Sequence, residues 1–276
     1  MGPADDERDT SAGSIIAEAA IGFERGANDY ERARPSYPSG AVDRIVDVCG
    51  LAPGVTVCDL AAGTGKLTRL LVPSGADIVA VEPVAAMREQ LARAVPGVDV
   101  VDGTAESIPL GDESVDALTA AQAFHWFDTD RALPEMRRVL RPGGHLVLVW
   151  NVRDETVDWV RQFTELIVAR SGGRPYTPYH QIRSGEAMTA DHVEVVRASG
   201  LFDEVHDAVF PNPQTVTLDD VVARAASTSF VAALDPDPRR ALLDEVRGLV
   251  AAHPETAGRE RFVFPHETLV SWCVAG

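Results

Sequence analysis

Between residues 54 and 151 the apolar positions switch repeatedly between two periods. Short, mostly apolar, strand-like runs cover 55–60, 77–81, 98–101, 115–120 and 146–150; between them apolar residues recur three and four apart over 66–72, 84–94 and 131–140. Runs of the first kind predict buried strands and those of the second predict helices. Their alternation predicts an α/β fold with a parallel sheet covered on both faces. Upstream, Ala41, Val42, Ile45 and Val46 mark one face of a helix that Ser39 is placed to cap. Downstream, helical spacing returns at 157–169, 193–198, 218–227 and 240–252, with strand-like runs at 205–210 and 268–274. Residues 1–22 are polar and weakly patterned, which predicts a flexible tail ahead of a single domain over 23–276.

In open sheets of this kind ligands bind beyond the carboxyl ends of the strands, and Asp59, Glu82, Asp102 and Gln122 fall there. The segment from Val57 to Lys66 carries a strand through Asp59 into a turn holding Gly63 and Gly65, and then into a helix. Glycine permits backbone angles and close ligand approach that a side chain blocks. Glu82, at the end of the next strand, is placed to accept two hydrogen bonds from a ribose diol. A P-loop needs glycine at 60 and serine or threonine at 67, and both positions are leucine. The dinucleotide fingerprint, begun at Gly63, needs glycine or alanine where Thr68 stands, so it fits poorly. A ligand-free strand-turn-helix accounts for the glycines but not for an acid at each strand end.

The run Asp59-Leu60-Ala61-Ala62-Gly63-Thr64-Gly65 resembles motif I of the class I S-adenosylmethionine-dependent methyltransferases. Residues 103–110 resemble the adenine-contacting segment of that family, 114–118 its fourth strand and 138–144 the turn before its fifth. Residues 30–38 and 122–127 are most similar to a small-molecule branch that includes trans-aconitate methyltransferase-like proteins. The resemblance covers 23–151, about half of the chain, and departs from the family at Ala61, where the first motif I glycine belongs. It implies a doubly wound, seven-stranded, mostly parallel Rossmann-like sheet whose last strand inserts antiparallel. It also implies S-adenosylmethionine as cofactor, with S-adenosylhomocysteine as product. Carried over by position, Asp59, Ala61, Gly63, Thr64 and Gly65 shape the methionine and ribose pocket, and Glu82 holds the ribose hydroxyls with Pro83 and Met87 beside it. Thr104, Ala105 and Glu106 contact adenine, Gln122 and Ala123 line the methyl-transfer channel, and Tyr30 and Arg34 complete the cofactor set. Tyr37, Trp126, Tyr176 and Tyr179 are assigned to the acceptor. The interval between the last two strands is too long for a plain loop, so 153–200 and 215–262 are expected to contribute a helical cap.

Composition narrows the partners. The formal net charge of -17, from 42 acidic and 25 basic residues without a basic cluster, argues against a nucleic-acid substrate and reads as solubility. No apolar run reaches the eighteen or so residues of a membrane span, and residues 1–7 lack a signal-peptide pattern, so a cytoplasmic protein is expected. Cys49, Cys58 and Cys273 lack metal-ligand spacing and read as buried reduced thiols; no metal is expected.

Because the methyl group of S-adenosylmethionine is already activated, alignment of an acceptor suffices, and neither a triad nor a metal cluster is required. His125 stands where a general base is useful for a hydroxyl acceptor, or is a structural histidine beside Trp126. Tyr30, Arg34 and Tyr37 belong to a lid or to packing; residues 171–183, with Tyr176, Tyr179 and His180, read equally as a lid or as a surface loop. After the fourth predicted strand, Ala121-Gln122-Ala123-Phe124 lacks the acidic or amide residue, paired prolines and aromatic of many adenine and glutamine N-methylating relatives. No Pro-Cys pair supplies a nucleophile for pyrimidine carbon methylation. A small organic acceptor remains, oxygen first, carbon second and nitrogen third. Two other functions stay open: a nicotinamide-dependent oxidoreductase, and a cofactor-binding protein with a non-methylating or regulatory role.

Overall fold

Residues 34–170 and 188–276 are described by a computed structural model of the chain. Helix α1 (Ser39–Cys49) opens on Pro38, whose backbone is extended, and Ser39 is its first residue. The expected serine cap is therefore absent: Pro38 occupies the cap position and no side chain bonds there. Gly50, at φ 59°, closes the helix in the left-handed conformation that glycine adopts at least cost.

The alternating segments then build β1 (Thr56–Leu60), α2 (Thr68–Leu71), β2 (Asp77–Val81), α3 (Ala85–Ala94), β3 (Asp99–Val101), β4 (Val115–Ala121), α4 (Thr129–Val139) and β5 (Leu140–Arg153). Together with β6 (His206–Pro211) and β9 (His266–Val274) the strands form one seven-stranded sheet in the order β3-β2-β1-β4-β5-β9-β6. Every neighbouring pair is parallel except those of β9, which runs antiparallel to both β5 and β6. Side chains alternate across the sheet as a strand requires. Cys58, Leu118, Leu146 and Leu148 pack with Leu133 and Met136 of α4, while Val57, Ala117, Val147 and Val149 pack with Ala41 and Ile45 of α1. Strands buried on both faces are the physical reason that these runs are mostly apolar rather than strictly alternating.

Between β6 and β9 the chain leaves the sheet through a two-stranded neck, β7 (Gln214–Val216) against β8 (Phe262–Phe264). The neck carries α7 (Leu218–Ala226), α8 (Ser229–Ala232) and α9 (Pro236–Ala252). Thr217 caps α7 in a reciprocal box with Asp220. These helices pack on α5 (Asp158–Val168), which follows β5, in a separate core of Trp159, Phe163, Val221, Leu242, Val246 and Phe264. Helix α6 (Met188–Ala198) covers the sheet through Val196. The tail at 1–22, Tyr30, and the segment 171–183 with Tyr176, Tyr179 and His180 lie outside the described residues. Cys49, Cys58 and Cys273 are free and buried. Among the described residues no helix is long and apolar enough to cross a membrane, and no group of three or more His, Cys, Asp or Glu is placed to hold a metal ion.

Candidate functional site

The site is built where β1, β2, β4 and β5 end. Leaving β1, Ala61 takes a left-handed backbone (φ 53°), a conformation that costs a residue with a Cβ about 1–2 kcal/mol. Gly63 (φ 57°) and Gly65 (φ 81°) follow, and each is glycine for its own reason. A Cβ at Gly63 meets no atom within 4 Å, so that side of the turn faces open space. One at Gly65 lies 2.9 Å from Leu91 Cγ, so the absent side chain lets α3 close on the turn.

Glu82, 3% exposed, bridges the two ends of this cradle. Its Oε2 accepts from the Gly63 N–H at 2.9 Å and its Oε1 from the Val84 N–H at 2.8 Å. Each carboxylate oxygen has room for a second donor. Burial raises the carboxyl pKa, against the two N–H groups and Arg88, which hold the anion. The Arg88 guanidinium donates to the carbonyls of Glu82 and Pro83 and to Asp102 at 2.9 Å, fastening the segment behind the carboxylate. Met87, on α3, is buried.

Asp59 faces inward. Its oxygens accept from the hydroxyls of Thr68 (2.5 Å) and Thr119 (2.8 Å), and burial lifts its pKa to about 6 against those two bonds. It thereby braces the turn from behind, tying β1 to β4 and α2. Thr64 is buried in the turn. On the β3 side a tight Thr104–Ser107 bridge surrounds buried Ala105, and Glu106 accepts from the Asp128 N–H at 3.0 Å, joining this loop to the start of α4. Gln122, at the end of β4, is again left-handed (φ 58°) and donates through Nε2 to the Asn151 carbonyl at 3.2 Å. Strained residues at two neighbouring strand ends are a recurrent mark of a functional site. Ala123 behind it is buried.

His125 sits on a single 3-10 turn, Phe124–Trp126, anchored by fully buried Phe124. Its ring lies 4.6 Å from that of Trp126, which is 40% exposed. His125 is exposed, yet desolvation by the protein around it, with electrostatic contributions from His192 and Arg34, lowers its pKa to about 4. The imidazole is neutral at pH 7. In an unfolded chain its pKa is about 6.5, so between about pH 4 and 6.5 the unfolded state binds the extra proton and stability at this site rises with pH. Asp59 acts oppositely, since its raised folded pKa makes stability fall as pH rises towards about 6. The two effects separate by difference: urea denaturation of His125→Gln beside the parent should show a shallower rise in stability from pH 4 to 6.5, and identical slopes would mean an unperturbed histidine.

A strap, residues 34–38, crosses these strand ends. Lys66 Nζ donates to the Arg34 carbonyl at 2.6 Å, Asn151 Nδ2 to the carbonyls of Pro35 and Ser36, and Asn212 Nδ2 to that of Ser36 at 2.8 Å. Tyr37, expected from sequence to contact the acceptor, is buried with Ala41 and Ile45 and anchors the strap. Arg34 Nη2 reaches the Ser227 carbonyl at the end of α7 at 3.4 Å.

Where the neck meets the sheet, two further guanidiniums gather that the sequence reading did not single out. Arg224 of α7, 7% exposed, shares a 2.7 Å hydrogen bond with His266 Nε2, donates to Gln214 Oε1 and lies over the Phe264 ring. Arg153, opposite His266 across the β5–β9 ladder, lies over Phe163. Burial, then the charges of Arg153 and Arg34, pull the Arg224 pKa down to about 9, with Asp220 opposing.

A family profile described as a methyltransferase domain matches residues 58–148. The chain is 41% identical over 252 residues to an uncharacterized methyltransferase of Mycobacterium tuberculosis, covering 91% of this chain and 95% of that one. It is 31% identical over 248 residues to an uncharacterized methyltransferase-like protein of Schizosaccharomyces pombe, covering 90% and 93%. A solved structure of a candidate type II methyltransferase from Anaeromyxobacter dehalogenans superposes with a TM-score of 0.62 at 25% identity, over 88% of this chain and 97% of that one.

Proposed function

The chain belongs to the class I S-adenosylmethionine-dependent methyltransferases, and from that premise we propose that it methylates an oxygen of a small, anionic organic acceptor held between the strand ends and the helical cap. The cradle fits the cofactor: open space beside Gly63 adjoins a buried carboxylate with acceptor capacity to spare. Glu82 would hold the ribose hydroxyls, the Gly63–Gly65 turn the methionine portion, and Thr104, Ala105 and Glu106 the adenine. When bound, S-adenosylmethionine supplies a methyl carbon activated by its sulfonium charge.

What the chain must add is alignment and exclusion of water, worth about 7–11 kcal/mol when the reacting atoms are well oriented. The strap over the strand ends serves both. The acceptor class is argued from placement: Arg34 reaches the Ser227 carbonyl at the end of α7, Arg224 lies on that helix against His266, and Arg153 pairs with His266 in the β5–β9 ladder, so guanidiniums suited to a carboxylate share one region. His125 supports the same reading: a base with its pKa near 4 has little power to take a proton from an alcohol at pH 7, whereas a carboxylate needs no proton removed. The net charge of -17 argues against nucleic acid as the acceptor.

The test is incubation with methyl-labelled S-adenosylmethionine and a panel of small carboxylic acids, phenols and alcohols, with calorimetry of S-adenosylhomocysteine and NAD alongside. Binding of S-adenosylhomocysteine but not NAD, and label appearing as base-labile methyl ester, are expected. Label only in ethers or amines would overturn the acceptor class, and NAD binding alone would overturn the cofactor.

A further inference from the structure

We infer that Asn212 is a positioning residue for the cofactor site, acting through the strap. The inference rests on the cofactor reading above and concerns a residue far from the glycine turn in sequence. Three successive strap carbonyls, those of Arg34, Pro35 and Ser36, each accept a hydrogen bond from a side chain, and the donors come from three different parts of the sheet: Lys66 after β1, Asn151 in β5 and Asn212 after β6. Lys66 follows Gly65 directly, so the strap is tied to the cofactor turn at one end and to the β5–β9–β6 side at the other.

Asn212 sets the second tie. It is 8% exposed, and its Nδ2 reaches the Ser36 carbonyl (2.8 Å), Asn151 Oδ1 (3.1 Å) and Thr268 Oγ1 (3.1 Å). The Thr268 hydroxyl in turn donates to Asn151 Oδ1 at 2.5 Å. Two donors therefore fix the oxygen end of the Asn151 amide, and its Nδ2 is left pointing at the strap. The Asn151 carbonyl accepts from Gln122, so the same residue also steadies the strained end of β4. A half-buried network in which the Asn151 amide is oriented by its neighbours favours one arrangement over several. Removing the Asn212 donor leaves the Ser36 carbonyl with only the 3.2 Å bond from Asn151 and takes away one of the two donors that fix the Asn151 oxygen, so this end of the strap then hangs on an amide that is itself less firmly oriented.

The near-isosteric change Asn212→Asp removes both N–H donors and sets a carboxylate against the Ser36 carbonyl and Asn151 Oδ1, which cannot donate, while Asn212→Ala removes the donors without the repulsion. Both variants should bind S-adenosylhomocysteine about tenfold or more weakly than the parent at pH 8. The KM for S-adenosylmethionine should rise in step, with kcat changing far less, and far-UV circular dichroism should be unaltered. As the pH is lowered towards 5, the Asn212→Asp variant should regain affinity relative to the parent, because a protonated carboxyl donates one bond again; the Asn212→Ala variant should not. Affinities within about twofold of the parent would overturn the inference, as would a deficit in Asn212→Asp that ignores pH. Should the Asn212→Asp variant fail to fold, Asn212→Ala decides by the KM-against-kcat split. A parent that itself fails to bind S-adenosylhomocysteine would overturn the cofactor reading together with the inference, whereas a binding parent with unaffected variants overturns the inference alone.

Discussion

Gly63→Val should abolish S-adenosylhomocysteine binding while leaving a folded protein, and Gly65→Ala, two positions on, should damage the fold first. The two glycines share a left-handed backbone, so both substitutions carry the strain of about 1–2 kcal/mol that a Cβ meets there, somewhat more for branched valine. They differ in what lies beyond the Cβ. At Gly63 there is no atom within 4 Å, so the valine methyls project into the open side of the cradle, next to the N–H that Glu82 holds. At Gly65 the added carbon would lie 2.9 Å from Leu91 Cγ and 3.3 Å from Val95 Cγ2, inside the contact between the turn and α3. Leu91 is fully buried and has nowhere to retreat, so overpacking adds about 1–3 kcal/mol to the strain. Against a typical domain stability of about 5–15 kcal/mol, the first protein survives comfortably and the second is marginal. Urea melts and calorimetry on the pair give the result. Parental affinity in Gly63→Val would put the pocket elsewhere, and a parental melt for Gly65→Ala would remove the packing argument.

The sheet and the glycine turn were legible in the sequence because their requirements are local. Strands buried on both faces leave mostly apolar runs, and a turn with positive φ leaves glycines at fixed distance from a strand end. Glu82 was legible for the same reason. The surroundings of Asp59 were not: Thr68 and Thr119, which engage it, are 9 and 60 residues away, and a threonine carries no sign of the partner it will meet. The neck strands β7 and β8 are three residues each, too short to display a period. The apolar pattern starts β5 at 146 because Pro142, Gly143 and Gly144 look like a turn, whereas the ladder pairs Val115 with Leu140 and resumes after a register shift. Asn212 lies between Pro211 and Pro213 and reads as loop; only the return of β9 beside β6 brings it to the strap. Arg224 falls in a helical run, and its burial follows from the packing of α7 against His266 and Phe264.

Glu82→Ala should weaken S-adenosylhomocysteine by about 1.5–3 kcal/mol, the range for hydrogen bonds to a charged group, or roughly tenfold to beyond a hundredfold. The carboxylate has two tasks, and the variants divide them. It holds the N–H groups of Gly63 and Val84, one on each oxygen, and each oxygen keeps a lone pair with which, on the proposed reading, it would accept from the ribose. Glu82→Gln keeps the shape but turns one of those oxygens into an NH2 group facing an N–H, so a donor meets a donor and the neutral amide should rescue little. Glu82→Asp keeps the charge on a shorter stem that cannot span both N–H groups. The order of affinity should therefore be parent well above all three, with Ala and Gln close together. Acid should produce the same loss in the parent without any mutation. Burial raises the Glu82 pKa, so on acidification the anion is lost at a higher pH than for an ordinary glutamate, and binding should fall through that range in the parent but not in Glu82→Ala. Folding stability has the opposite sign: a raised carboxyl pKa means that the folded chain binds its proton more tightly than the unfolded one, so this residue's contribution is present at low pH and declines as pH rises. Calorimetry and urea titration over one pH series would thus show binding improving while the Glu82 contribution to stability diminishes. An affinity in Glu82→Ala equal to that of the parent would remove the residue from the site.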